Sequence, residues 1–232
     1  KASLDKLGLI NNNKLLNAGK LLFFLDNPLE VQLAVFSGKD KTNFIDIKNL
    51  QGNLFHIMRR SEIYIKSNIR WSVHFGKRAR EESPEIPLKA IREALVNSFC
   101  HRDYTIPKSN EIAIFKDRIE IYNPGNFPDG LKPEDYIKGH ERSVLRNPLL
   151  ANMLYLSRHI EKWGSGLKRI YEECTANDIN VEFKTLNTGF LSIFYRNYTQ
   201  SVTLGEKLGE KLGEKLGEKL GENERKILEL LS

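Results

Sequence analysis

Cysteine is scarce: Cys100 and Cys174 are the only two in 232 residues. Two thiols in separate helix-like segments cannot make a disulfide framework, and their spacing is not that of metal ligands, so stapled and thiolate-metal scaffolds are excluded. A reducing compartment is expected, and the cytoplasm is the simplest. Long apolar runs are lacking too. The longest, around Leu21 to Leu25, falls far short of the roughly 18–20 residues needed to cross a bilayer, and no secretory signal opens the chain, so no membrane partner is expected. Nowhere does Gly-x-x-x-x-Gly-Lys-Ser/Thr occur, which excludes a helicase motor of the P-loop kind.

What remains is the composition of a folded chain, 40% hydrophobic and 28% charged, with a net charge of +6. The charge is uneven. From Leu204 onward six Lys/Arg face seven Asp/Glu, so the basic excess lies in residues 1–203. Such an excess suits an anionic partner, nucleotide or nucleic acid, and equally serves solubility.

Periodicity outlines the elements. A short apolar helix, a turn at Asn11-Asn12-Asn13 and a second apolar stretch from Leu15 make residues 1–30 read as the tail of an upstream domain or a connector. Val31 to Phe36 reads as a strand, and the apolar period from Leu50 to Ile69 as one amphipathic helix. Trp71, Val73 and Phe75 alternate as in a strand. Pro87 suits the first position of a helix running from Leu88 to Cys100. Ile112, Ile114, Ile119 and Ile121 alternate across Lys116-Asp117 as a hairpin, and the prolines and glycine of Asn123 to Pro128 predict a loop. Helices over 149–156 and 167–174, then strands over 181–183 and 190–194, complete the pattern. Hairpin-joined strands mixed with helices favour an α+β two-layer sandwich over a doubly wound parallel sheet.

The tail differs. Leu-Gly-Glu-Lys repeats place leucine at 204, 208, 212, 216 and 220. A glycine every fourth residue costs roughly 1 kcal/mol per site in a helix interior. Residues 201–222 are therefore expected to be either a linker or a helix that forms only when chains associate, making the chain a homo-oligomer through Leu204–Leu220. Residues 223–232 read as the start of a further domain.

The chemistry concentrates in Arg92 to Tyr104. Glu93, Asn97 and His101 recur every fourth residue and share one helix face, opposite the apolar residues. A carboxylate one turn from an amide oxygen can activate water and help hold a hydrated Mg²⁺; the same residues also suit a plain solvated stripe. Downstream, Asn123-Pro124-Gly125 follows a strand and could face a base. Gly164-Ser165-Gly166-Leu167 opens a helix, whose N-terminal amides favour phosphates.

In this order the segments resemble the N, G1 and G2 boxes of GHKL ATPases. More closely, Pro87–Tyr104, Ile119–Pro128 and Glu161–Ile170 are similar to the divergent GHKL-like domain of RecG-related and Schlafen AlbA-containing transcriptional regulators. The resemblance covers roughly residues 15–196. It implies a Bergerat-type mixed sheet with helices on one face over 31–200, an AlbA-type domain upstream and a winged helix downstream that contacts DNA. It further implies ATP and Mg²⁺ as cofactors, with Glu93 as water-activating base and Asn97 as metal ligand. Asn97, His101, Asn123, Gly125, Gly164, Gly166 and Leu167 would bind the nucleotide. The chain departs from the GHKL pattern where adenine is read: Asn123 stands for an aspartate and Phe127 for a glycine. At most a weak Mg-dependent ATPase is implied, and a scaffold or dimerisation domain without nucleotide is the alternative.

Overall fold

In the computed structural model, residues 2–27, 29–75, 80–157 and 166–197 are described. Gly164 and everything after Asn197, including the Leu-Gly-Glu-Lys repeat, lie outside them. All the elements below belong to the first of two units, Lys1–Arg196.

The chain begins with α1 (Ala2–Lys6), a small hairpin of β1 (Ile10–Asn11) and β2 (Lys14–Leu15), and α2 (Asn17–Phe23). Asn12 and Asn13 turn that hairpin with φ of 46° and 61°, the left-handed pair that a type I′ turn requires. Leu9 and Leu22 from this stretch are fully enclosed in the main core, so residues expected as a tail or connector pack with the sheet.

Next come β3 (Glu30–Phe36), β4 (Phe44–Gln51) and α3 (Leu54–Asn68). Sequence periodicity starts this helix one turn early: Leu50 pairs with Val31 in β4, and Asn53 caps α3 by accepting the His56 amide at 2.9 Å. A separate hairpin, β5 (Trp71–Phe75) with β6 (Arg80–Pro84), leads to α4 (Leu88–Cys100). Pro87 occupies the N-cap of α4 rather than its first turn. There follow β7 (Asn110–Ile114), β8 (Arg118–Pro124), α5 (Pro133–Ile137), α6 (Pro148–Leu156), α7 (Gly166–Thr175), β9 (Val181–Leu186) and β10 (Gly189–Tyr195).

Six strands form one sheet in the order β4-β3-β7-β8-β10-β9, antiparallel except for the parallel pair β3–β7. Alternation decides its two faces. Leu33, Ile112, Ile114, Ile119, Ile121 and Phe194 point to the helices and join Ile57, Ile65, Ile91, Leu95, Phe99, Leu154 and Ile170 in the main core. The other face carries a smaller patch, where Phe36 stacks on Phe115 at 4.8 Å beside Ala113. This is the α+β two-layer sandwich with a mixed sheet that the pattern predicts. Among the described residues no helix is long and apolar enough to cross a membrane.

Candidate functional site

α4 buries Ala90, Ile91, Ala94, Leu95 and Phe99 and turns its polar positions toward α7 and the end of β8. Below them opens a cavity of about 250 Å³, close to the lower end of small-molecule pockets, roughly 300–1,000 Å³. Asn97, His101, Asn123, Gly125, Gly166 and Leu167, distant in sequence, all line it. Glu93 stands one turn before Asn97, outside the lining, and accepts a hydrogen bond of 2.9 Å from Arg169 of α7.

Two glycines set how closely the walls approach. A Cβ on Gly166 would lie 2.6 Å from Asn97 Nδ2 and 2.8 Å from Glu93 Oε1, so any larger residue would displace these two side chains from the start of α7. Gly125 has φ of +118°, and a Cβ there would meet the Asp103 backbone nitrogen at 3.0 Å.

The predicted loop at Asn123 needs correction. Asn123 and Pro124 are the last residues of β8, paired with Phe190 and Gly189 of β10. Pro124 is tolerated because β7 does not reach it; its carbonyl accepts the Asp103 amide at 2.8 Å on that side. The irregular chain begins at Gly125. Asn123 is 3% exposed, with its amide nitrogen 3.4 Å from the Pro124 carbonyl oxygen.

The His-Arg-Asp-Tyr run after α4 divides its work. Arg102 is buried and donates to Asn110 Oδ1 at 2.6 Å, and the Tyr104 hydroxyl donates to the Phe99 carbonyl at 3.1 Å. Asp103 accepts from the Thr105 amide and hydroxyl and from Arg146, and these bonds hold its carboxyl below the usual range. Arg102 thus ties the end of α4 to β7, Tyr104 ties the following turn back to α4, and Asp103 holds the Arg146 loop. His101 alone faces the cavity, where burial, then the Arg146 guanidinium, push its pKa down to about 4.

Among the lining residues that sequence reasoning misses, four bear on binding. Arg146 bridges the Asp103 carboxylate (3.0 Å) and the Asn126 carbonyl (2.6 Å), and it comes from an exposed loop with no motif. Lys168 follows Leu167 directly, and the helix-opening glycine is the signal that could have found it. Phe190 stacks on Phe127 at 5.2 Å, and Tyr136 meets Phe127 edge-on at 5.4 Å. The Tyr136 hydroxyl is buried with no hydrogen-bond partner among the described residues. Among the described lining residues the charged ones are Arg146 and Lys168, both cations, and none is acidic. Nor do the described residues gather three or more His, Cys, Asp or Glu around a metal position.

Residues 108–194 match the model of a family described as "Putative ATP-dependent DNA helicase recG C-terminal". The match is a similarity confined to that stretch. The matched stretch spans β7 to β10 and includes Asn123, Gly125, Gly164, Gly166 and Leu167, while α4 with Glu93, Asn97 and His101 lies before it. None of the curated proteins matches the chain. Among solved structures, the crystal structure of the DIP2311 protein from Corynebacterium diphtheriae superposes with a TM-score of 0.71 at 21% identity, covering 83% of this chain. At that identity the likeness is one of fold, and this chain spans 40% of the length of that one.

Proposed function

We propose that the cavity binds a nucleotide, ATP with Mg²⁺, and that the chain is the nucleotide-binding module of a DNA-associated transcriptional regulator whose flanking domains contact DNA. The carrying observation is the charge of the lining: among its described residues the charged ones are the cations Arg146, paired with Asp103, and Lys168, paired with Glu172, beside the N-terminus of α7. Phosphates would be stabilised there by both cations and by the helix-end amides. The aromatic wall of Phe127 and Phe190 supplies a flat apolar surface for a base, and the unpartnered Tyr136 hydroxyl a donor. Asn97 would offer one oxygen to Mg²⁺, an ion that keeps several waters and takes its remaining ligands from phosphates. Bound there, the ion would neutralise phosphate charge. His101, neutral at pH 7, would donate to or accept from a phosphate or sugar hydroxyl.

Turnover is expected to be weak at most, because Glu93 must leave Arg169 before it can take a proton from water. That ion pair, with the amide of Asn123 where the resemblance implies a carboxylate, favours a second reading: a scaffold that keeps the fold without hydrolysis.

Calorimetric titration of Mg-ATP tests the site. Saturable binding, weakened at least about tenfold by Asn97→Ala and by Lys168→Ala, is expected. No heat up to about 1 mM ATP with folded protein would leave the scaffold reading standing.

A further inference from the structure

We propose that β4 pairs antiparallel with β4 of a second copy of this chain, joining two sheets about a two-fold axis at Ile47. β4 ends the sheet: its one strand neighbour among the described residues is β3, so alternate N–H and C=O groups from Asp46 to Gln51 face outward, with a bulge at Ile45 before Phe44. An open edge of that length is a template for another strand. A bulge and Lys48 blunt this edge only in part, since Phe44, Ile45 and Ile47 are 53%, 68% and 58% exposed. Phe44 also lies 4.7 Å from Phe36, which stacks on Phe115, so the apolar patch of the sheet's open face runs to this edge.

Charge selects the occupant. Asp46 and Lys48 sit two residues apart on one side of β4, with Nζ and Oδ2 3.3 Å from each other. When Ile47 faces Ile47 of the second copy, Asp46 faces Lys48 of that copy and Lys48 faces its Asp46. Sliding the pairing two residues one way sets aspartate against aspartate, and the other way lysine against lysine. In that register each Asp46–Lys48 pair is extended by the matching pair of the second copy, and in the shifted registers like charges oppose. The far edge, β9, carries Glu182 and Lys184 at the same spacing, with Glu182 bound by the Tyr195 hydroxyl at 2.6 Å, as the Asp46–Lys48 pair of β4 is engaged by Tyr64; the edges differ in their apolar residues. There the exposed large apolar side chain is Leu186 alone.

Sedimentation velocity of the full chain over a concentration series decides the matter, with circular dichroism confirming that each variant is folded. The wild type should be a dimer that dissociates on dilution. Asp46→Lys should weaken it about tenfold, and Asp46→Lys combined with Lys48→Asp should restore it. Ile47→Lys, which sets like charges together on the axis, should give a monomer, whereas Thr185→Lys in β9 should change nothing. A monomeric wild type would overturn the proposal. So would a dimer indifferent to Ile47→Lys, which would place association elsewhere, for example in Leu204–Leu220. Failure of the double swap to restore pairing would overturn the register and with it the choice of partner.

Discussion

His101 stands where two demands on one ring meet. It closes α4 by donating its backbone amide to the Asn97 carbonyl, and it turns its imidazole into a cavity where burial and Arg146 both disfavour the proton. The folded pKa is about 4 against an ordinary 6.5. Between those values the unfolded chain binds a proton that the folded chain does not, so stability from this group is complete above pH 6.5 and is lost as the pH falls toward 4. The expected loss is on the order of 2 kcal/mol. Urea denaturation at about pH 7 and about pH 4.5 should register it in the wild type and show a smaller loss in His101→Gln. Equal losses would mean that another group titrates. The cysteines have the opposite character: burial raises Cys100 and Cys174 to about 12, which leaves both as inert apolar fillers.

At the scale of elements, the site depends on how β8 meets β10. Gly189 faces Pro124, and a Cβ there would overlap the Asn123 carbonyl oxygen and lie 2.5 Å from Tyr122 Cε2. Gly189→Ala should force the strands apart where Asn123 enters the cavity and cost roughly 1–3 kcal/mol, readable as a lower thermal midpoint. An unchanged midpoint would show that the pair yields without strain. Nothing in the local sequence marks Gly189 as critical, because the crowding comes from a strand more than sixty residues earlier. α4 was legible for the converse reason. Its apolar period, its preceding proline and its polar positions at every fourth residue are local, and the structure keeps all three. β4 was not legible: one side of it has no strand neighbour among the described residues, and its sequence alternates too weakly to separate from the helix that follows. Asn123 and Pro124 were read as loop because proline forbids a ladder bond, a rule that lapses where the neighbouring strand has already ended. The cations of the cavity were hidden in turn. Arg146 belongs to a segment without pattern and reaches the site only through tertiary folding.

For the molecule as a whole, the sheet is assembled from two kinds of neighbour. β7 and β8 are joined by a tight turn, and β9 and β10 by another, so these pairs can form from nearby residues. β3 and β7, the parallel pair, are separated by β4, α3, the β5–β6 hairpin and all of α4. Closing that span orders a long stretch of chain before any contact rewards it. The local hairpins should therefore form first, and the two long-range seams, β8 with β10 and β3 with β7, close later. In stopped-flow refolding, truncating Ile121 or Ile193 within the local strands should chiefly slow folding, while Leu33→Ala on β3 should chiefly hasten unfolding. The reverse assignment would mean that the long-range pair leads. If the local hairpins do lead, the cavity is completed late, once β8 has met β10 at Asn123 and α4, bearing Glu93 and Asn97, has docked.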